Sequence, residues 1–349
     1  MRALARLDAS NRYHVFCEDR GAADAFAVRA PNVDFHPGSG VSKWLSFPVT
    51  RPLAMRRERL DFLHALFLPP PVAPCPFLFT SHGSEMFARP ELYPASLRWR
   101  MNAMIRLALA RARQVICVSE HTRRFMIERF AVPASRAHVV PNGASACFRP
   151  MGAGERAPVL SRLGVRPPYL LFAGRLEPRK NPVRLLEAYA RLREALGGDT
   201  PALVLAGEKT WSGREVDAAI AARGLQPFVV ETGHVSQQDL AALYSGAEAF
   251  VFPSLWEGFG IPPLEAMACG TPVVASAAPS IPEVTGGAAL LVDPLSPAAI
   301  AEALRRVLTD AALATTLRKA GLARAAQFGW ERTARETLAV YARMPGTPR

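Results

Sequence analysis

At 349 residues, half of them apolar, the chain is too long for one hydrophobic core, which predicts a globular protein of two domains. Its net charge of +12 favours an acidic partner, for which an anionic membrane surface, a diphosphate or nucleic acid are candidates. Five scattered cysteines without a C-x-x-C pair argue against a disulfide framework or zinc site and favour a reducing cytoplasm, and no apolar run reaches the roughly 20 residues of a membrane-spanning helix.

The first half, residues 1–150, predicts one α/β domain. β-Rich runs separated by helical or turn-forming stretches predict strands at Tyr13–Cys17, Asp61–Ala65, Phe77–Thr80, Gln114–Val118 and His138–Val140. The turn Pro141-Asn142-Gly143 closes this half. The stretch Phe148–Pro168 that follows is rich in Pro, Gly, Ala and Arg, and we interpret it as the linker.

The second half, residues 169–329, alternates strands and helices more regularly. The predicted strands are Tyr169–Gly174, Ala202–Gly207, Phe228–Thr232, Ala249–Phe252, Pro272–Ala275 and Ala289–Val292. The predicted helices are Pro182–Leu196, Gln237–Ser245 and two that begin at Pro297 and near Ala311. This alternation indicates βαβ units and a parallel, doubly wound sheet, so the chemistry should lie where strands end.

Two glutamates flank a glycine-bearing loop that follows one predicted strand. Gly258 and Gly260 lie in the loop, and Pro262 suits the first position of a new helix. Unpaired N–H groups at such a helix start form an anion site that suits a diphosphate. A carboxylate beside a diphosphate would be repelled, so we expect Glu265 to face a ribose diol and Glu257 the hydroxyls of a sugar. Alternatively, Glu265 stabilises its own helix N-terminus.

Cations follow another predicted strand, where Gly174 is succeeded by Arg175, Arg179 and Lys180. Breaking a nucleotide–sugar bond builds negative charge on the departing diphosphate, and fixed cations stabilise that charge. The chain has no Asp-x-Asp motif for a metal–diphosphate complex, so Arg175 and Lys180 are the natural substitutes for a metal. The prediction is therefore a site without metal or cofactor. The alternative is a solvated cluster of loop charges.

A histidine marks a third strand end, in the first half. His82 follows a predicted strand and precedes Gly83, where it could orient a substrate or share a proton. A lone histidine can equally be structural.

Taken together, these motifs resemble glycosyltransferase family 4, the retaining enzymes of the GT-B fold, and in particular its bacterial mannosyltransferase-like members. The resemblance spans nearly the whole chain and rests on the turn at His82, Val115–Ser119, Pro141–Gly143, Gly174–Asn181, Gly233–Ser236, the two glutamates with seven residues between them, and Phe328–Glu331. It implies two Rossmann-like domains that face each other across a cleft. It also implies that residues 330–349 form a last helix crossing back to the first domain.

The resemblance also implies residue roles. Arg175 and Lys180 would bind the donor diphosphate, Glu265 the ribose, and Glu257 with the backbone of Phe259–Ile261 the transferred sugar. The implied donor-binding residues are Gly174, Arg175, Lys180, Val235, Glu257, Gly258, Phe259, Gly260, Ile261 and Glu265, and the implied catalytic residues are His82, Glu257, Arg175 and Lys180. The donor would be a GDP- or UDP-sugar, with GDP-mannose first. The acceptor would be a glycan or a polyprenyl-diphosphate-linked glycan in surface polysaccharide synthesis.

One part of the family pattern is missing. Family members open with a strand, a glycine-rich loop and a long helix, whereas Met1–Tyr13 resembles the tail of that helix and the second strand. We therefore expect the first strand and its loop to be absent, through truncation or a misassigned start. A sugar-nucleotide-binding protein without turnover is then an alternative function. A glycoside hydrolase using Glu257 and Glu265 fits the cations poorly, and no nucleic-acid-binding motif is present.

Most of the excess positive charge lies in residues 1–150, which contain 21 basic and 11 acidic residues. Lys43, Trp44 and Phe47 precede four arginines at positions 51, 56, 57 and 59, a mixture that suits the headgroup boundary of an anionic membrane. Peripheral contact with the inner membrane face is therefore one hypothesis. The alternatives are that Trp44 and Phe47 are core residues and that the charge reflects a general arginine bias.

Overall fold

The apolar runs of the chain form parallel sheets in two units, which confirms the predicted α/β class. Unit 1 comprises Met1–Phe87, Tyr93–Gly143 and Trp330–Arg349, and unit 2 comprises Ala88–Leu92 and Ala144–Gly329. This computed structural model describes residues 1–17, 30–37, 49–66, 69–70, 72–83, 85–210 and 212–344. Within these ranges, no helix is long and apolar enough to cross a membrane.

Unit 1 contains two parallel sheets among its described residues. Its strands are β1 (Tyr13–Phe16), β2 (Val33–His36), β3 (Leu63–Ala65), β4 (Phe77–Ser81), β5 (Gln114–Cys117) and β6 (Ala137–Val139). Strands β1 and β2 pair with each other, and the other four lie in the order β3-β4-β5-β6. The helices are α1 (Arg2–Leu7), α2 (Arg51–Arg57), α3 (Glu85–Ala88), α4 (Ala95–Arg111) and α5 (Glu120–Phe130).

The described residues of unit 2 form one six-stranded parallel sheet. Its strands are β7 (Tyr169–Ala173), β8 (Ala202–Ala206), β9 (Val229–Gly233), β10 (Ala249–Phe252), β11 (Val273–Ser276) and β12 (Leu290–Val292), in the order β12-β11-β10-β7-β8-β9. Strands β7 and β10 are fully buried, as is typical of central strands covered on both faces. The helices are α6 (Ala153–Arg162), α7 (Pro182–Leu196), α8 (Gly213–Ala222), α9 (Gln237–Gly246), α10 (Ile261–Ala268), α11 (Ile281–Thr285), α12 (Pro297–Thr309) and α13 (Ala311–Ala325).

The last helix, α14 (Trp330–Tyr341), packs in unit 1. Val340, Tyr341 and Met344 form a buried cluster with Leu78 of β4 and Ile116 of β5. The apolar face of the helix therefore completes the core on which the four-stranded sheet rests.

The predicted linker is wrong for much of its length, because α6 lies within it. Glu155 accepts a hydrogen bond from the backbone N–H of Gly152, which caps the helix start, and Leu160 is buried. Pro158 is tolerated in its middle even though proline usually breaks a helix. The composition alone predicted a linker, because the content of proline and glycine does not reveal this cap or the burial of Leu160.

Candidate functional site

The predicted strand-end loops of unit 2 meet where the strand order reverses. From β7 the chain proceeds outward through β8 and β9, and it then returns to the other side of β7 for β10. The loops after β7 and β10 therefore leave neighbouring strands at their carboxyl ends, the edge where open parallel sheets hold ligands. These loops are the segments that begin at Gly174 and at Pro253.

The turn after β7 depends on glycine at two positions. Gly174 has φ 144° and Gly207, after β8, has φ 149°, a region that other residues rarely adopt. A Cβ atom on Gly207 would lie 2.0 Å from the carbonyl oxygen of Gly174. This close approach fixes the backbone that leads into Arg175 and Lys180.

Lys180 and Glu257 form a buried ion pair between the two loops. The Lys180 Nζ atom lies 2.6 Å from Glu257 Oε1, and both residues are only 8% exposed. The same carboxylate oxygen lies 3.1 Å from Arg179 Nη1 and accepts a hydrogen bond from the Ser254 hydroxyl. All of these contacts use Oε1, so Glu257 keeps its second oxygen, Oε2, outside the cluster.

The cations keep this carboxylate ionised. Burial alone would raise the pKa of Glu257, but Lys180 and Arg179 outweigh it and hold that pKa below its ordinary value. Burial lowers the pKa of Lys180, whereas the charge of Glu257 raises it in part. The ammonium also lies 4.6 Å from the centre of the Phe252 ring, a cation–π contact that favours the charged form.

Two residues that sequence analysis did not include in the site hold the loops together. Arg179 donates to the carbonyl of Trp256 at 3.1 Å and to the Glu177 carboxylate at 2.8 Å. Asn181 adopts φ 63° and donates to the carbonyl of Pro253 at 3.1 Å. Arg179 adjoins Lys180 in the sequence, but its role depends on a contact partner 77 residues away, which no local pattern reveals.

Other predicted donor residues lie near these loops without joining the ion pair. Arg175 follows Gly174 directly and is exposed, and it makes no ion pair with any described residue. Val235 lies between β9 and α9, in a loop at the same carboxyl edge of the sheet. Gly233, at the end of β9, accepts a hydrogen bond from the Gly207 N–H at 2.9 Å, which ties that loop to the end of β8.

The loop before α10 offers backbone donors, but not all of those that the sequence predicted. Pro262 and Pro263 occupy the first helical turn and have no N–H group. The available donors are therefore the N–H groups of Phe259, Gly260 and Ile261, for which no hydrogen bond to a described residue is present. Three successive free N–H groups form a small anion or hydroxyl site at the loop.

Glu265 lies on α10 with its carboxylate in a largely apolar setting. Its Oε2 atom accepts a hydrogen bond of 3.4 Å from the Tyr244 hydroxyl. Burial raises the pKa of Glu265 to about 7, and the bond from Tyr244 offsets only part of that effect. The carboxylate is thus ready to accept further hydrogen bonds, which would favour its ionised form.

His82 belongs to unit 1, where it follows β4 directly and is exposed. The neighbouring His64 of β3 has a different character. Its Nδ1 atom lies 2.7 Å from the Tyr341 hydroxyl and its Nε2 atom 2.6 Å from Thr80 Oγ1. Burial, together with His82, lowers the pKa of His64 to about 3, so this ring is a neutral link between α14 and the sheet.

Two family profiles match most of the chain. "Glycosyltransferase Family 4" matches residues 1–146, and "Glycosyl transferases group 1" matches residues 160–324. Among curated proteins, the O-antigen chain mannosyltransferase B of Escherichia coli is 34% identical over 263 residues. That match covers 75% of this chain and 69% of the relative.

Solved structures share the fold across nearly the whole chain. Sucrose-phosphate synthase from Thermosynechococcus elongatus aligns with a TM-score of 0.79 and 24% identity. The alignment covers 98% of this chain and 91% of the synthase chain. HepE from Anabaena, solved in complex with UDP and glucose, has a TM-score of 0.77 and 20% identity, covering 95% of this chain and 100% of its own.

Proposed function

This chain belongs to the glycosyltransferases of family 4 and group 1, and from that premise we propose that it transfers a sugar from a nucleoside diphosphate donor with retention of configuration. The first candidate donor is GDP-mannose, and a UDP-sugar is the second. The proposed acceptor is a glycan, free or linked to polyprenyl diphosphate, in surface polysaccharide synthesis. The mannosyl assignment is supported by the O-antigen mannosyltransferase of Escherichia coli, and the UDP alternative by HepE.

The observation that carries this proposal is the buried Lys180–Glu257 ion pair, which lies where the strand order of the unit 2 sheet reverses. An ammonium has three N–H donors, so Lys180 can hold Glu257 and a phosphate oxygen at once. Arg175, exposed directly after Gly174 in the same loop, would supply a second cation. Together they would bind the donor diphosphate and stabilise the negative charge that grows on it as the sugar leaves.

The sugar and ribose positions follow from the remaining groups. The free oxygen of Glu257 and the N–H groups of Phe259, Gly260 and Ile261 would bind sugar hydroxyls. Glu265 would accept hydrogen bonds from the ribose diol, and Val235 would contact the base. Glycine at 174 and 258 lets the backbone approach the donor closely.

In the proposed reaction, the bond between the anomeric carbon and the β-phosphate oxygen breaks on the face where the acceptor oxygen attacks. The acceptor hydroxyl gives its proton to the departing phosphate, so no carboxylate base is needed. His82 would orient the acceptor or the sugar. The cations replace a metal in this scheme, so turnover should need neither added Mg²⁺ nor Mn²⁺.

The test is a turnover assay with the purified chain, GDP-mannose and UDP-glucose in parallel, and a polyprenyl-diphosphate-linked glycan acceptor. We expect acceptor-dependent release of nucleoside diphosphate, and an α-linked product by NMR from an α-linked donor. A β-linked product would contradict retention. Donor binding without acceptor-dependent release would favour the binding-protein alternative, and release of free sugar from a glycan without a nucleotide would favour the hydrolase.

A further inference from the structure

Side chains of the types that bind metals cluster at the two-stranded sheet of unit 1, and none of them is a residue assigned to sugar transfer. In the parallel pairing of β1 and β2, His14 lies opposite Asp34 and Phe16 lies opposite His36. Alternate residues of a strand share a face, so these four side chains lie on one face of the sheet. The Phe16 and His36 rings stack with their centres 4.6 Å apart, which fixes the plane of the His36 imidazole.

Glu58, the C-cap residue directly after α2, brings a carboxylate to the same two histidines. His14 Nδ1 lies 3.0 Å from His36 Nε2 and 3.7 Å from Glu58 Oε2. Glu58 Oε1 lies 3.9 Å from His36 Nδ1. One candidate ligand atom from each of the three residues falls within 4.8 Å of the other two.

These separations suit a small divalent cation. In a tetrahedral zinc site with bonds of 2.0–2.1 Å, the ligand atoms lie about 3.3–3.4 Å apart. The distances of 3.0 Å and 3.7 Å from His14 Nδ1 bracket that value, and the remaining pair, His36 with Glu58, lies within 4.8 Å, so binding an ion would draw Glu58 towards His36. Two imidazole nitrogens and one carboxylate oxygen favour zinc as the bound metal, because magnesium and calcium prefer ligand sets made of oxygen atoms.

The contact between the histidines supports the same conclusion. Two imidazole nitrogens 3.0 Å apart can share only one proton, and a cation can replace that proton. Asp34 is less available as a ligand, since Arg12 binds its two oxygens at 2.6 Å and 3.3 Å. A fourth position thus remains for water.

We propose that His14, His36 and Glu58 bind one Zn²⁺ ion that links β1, β2 and the end of α2. The ligands come from three elements that lie far apart in the sequence. Such an ion stabilises the folded state by binding it in preference to the unfolded chain. Because none of its ligands is assigned to sugar transfer, the role proposed for the ion is to stabilise the fold of unit 1.

The experiment uses the whole chain without a histidine tag, stripped of metal with a chelator that is then removed. Zinc binding is measured by competition with a chromophoric chelator, and Co²⁺ serves as a spectroscopic probe. We expect one equivalent of Zn²⁺ with micromolar or tighter affinity, a tetrahedral cobalt spectrum without a thiolate charge-transfer band, and a melting temperature raised by at least about 3 °C. Mg²⁺ should have no effect.

Variants locate the ion. His14→Gln and His36→Gln should each weaken zinc binding at least tenfold, and the exposed change Glu58→Gln should do so with the fold intact by circular dichroism. The matched control is His234→Gln, an exposed histidine of unit 2, which should bind zinc like the parent chain. The proposal is overturned by a parent chain that binds less than a fifth of an equivalent, by affinity that survives all three changes, or by a thiolate band.

Discussion

At the scale of single residues, the shared oxygen of Glu257 makes the two halves of the ion pair dependent on each other. Removing the charge of Glu257 leaves Lys180 buried without its counterion, and removing Lys180 leaves Glu257 with Arg179 alone, in a place where the transition state is proposed to need both partners. Glu257→Gln and Lys180→Ala should therefore each lower turnover at least tenfold, since loss of one such electrostatic partner typically costs about 3 kcal/mol. The measurement is initial rate with donor and acceptor both saturating.

The control for this pair is Lys319→Ala, a change to an exposed lysine of α13 that should leave the rate unchanged. Circular dichroism should show that both site variants remain folded. Near-parental rates for both of them would refute the assignment of the site.

Glu265 predicts a pH dependence because its pKa is about 7. If its carboxylate accepts the ribose hydroxyls, donor affinity should fall as pH drops through 7 and the group becomes protonated. Titration calorimetry from pH 5.5 to 8.5 checks this, and Glu265→Gln should flatten the profile. An unchanged profile in that variant would show that another group titrates.

Glu265 should also affect the free energy of unfolding, with a pH trend opposite to that of donor affinity. Its pKa is raised above the ordinary value of 4.5, so the folded chain holds the proton more tightly than the unfolded chain. Its contribution therefore becomes less favourable as pH rises from about 4.5 to about 7. Glu265→Gln should raise the melting temperature more at pH 8 than at pH 5.

At the scale of elements, the start of α10 is the most constrained point. Gly260 has φ 109°, and a Cβ atom there would lie 2.6 Å from Ile281 Cδ1. Gly260→Ala should lower the free energy of unfolding by about 1–3 kcal/mol and weaken donor binding, because it displaces the free N–H groups. Thermal melting and calorimetry measure the two effects.

A second glycine provides the matched comparison. Gly154 lies in α6 with nothing within 4 Å of its added Cβ, so Gly154→Ala should be neutral or stabilise by up to about 1 kcal/mol. Equal effects at both positions would show that conformational strain at Gly260 is not the cause.

The same elements show how far the sequence could predict the structure. Helix α7 and strand β10 begin and end where the sequence predicted them. Pro182 opens the helix and Gly197 follows its last residue, and all four residues of the strand are apolar and buried. Strand β2 was missed: it has four half-buried residues, with Asp34 and His36 among them, and no apolar run to reveal it. The ion pair was also missed, since residues 180 and 257 meet only through the order of the strands, which no local pattern encodes.

At the scale of the whole molecule, the excess positive charge of residues 1–150 remains the basis of the membrane hypothesis. Lys43, Trp44 and Phe47 lie outside the described residues, whereas Arg56 and Arg57 on α2 are exposed beside Leu53, which is 53% exposed. We propose that this surface contacts anionic lipid. Each basic residue near such a membrane contributes about 1 kcal/mol, an attraction that salt weakens.

Co-sedimentation with liposomes of rising phosphatidylserine content tests this proposal. Binding should increase with anionic lipid, decrease with salt, and fall roughly a hundredfold when Arg56, Arg57 and Arg59 become Ser. Changing three exposed arginines of unit 2, Arg166, Arg214 and Arg223, to Ser should have little effect. If the parent chain stays in the supernatant at low salt, the membrane proposal is wrong and the positive charge reflects a general arginine bias.

The return of α14 to unit 1 has a consequence for synthesis on the ribosome. The main segment of unit 2 runs without a break from Ala144 to Gly329, and these end residues meet in a β-bridge, with Ala144 N–H donating to the Phe328 carbonyl at 3.1 Å. Unit 1 lacks its last helix until that insert has been translated, which takes about 10–40 s at 5–20 residues per second. During that time the apolar face of the unit 1 sheet that α14 covers is exposed, so we expect chaperones to bind the nascent first half. Unit 2, by contrast, can close upon itself as soon as it emerges.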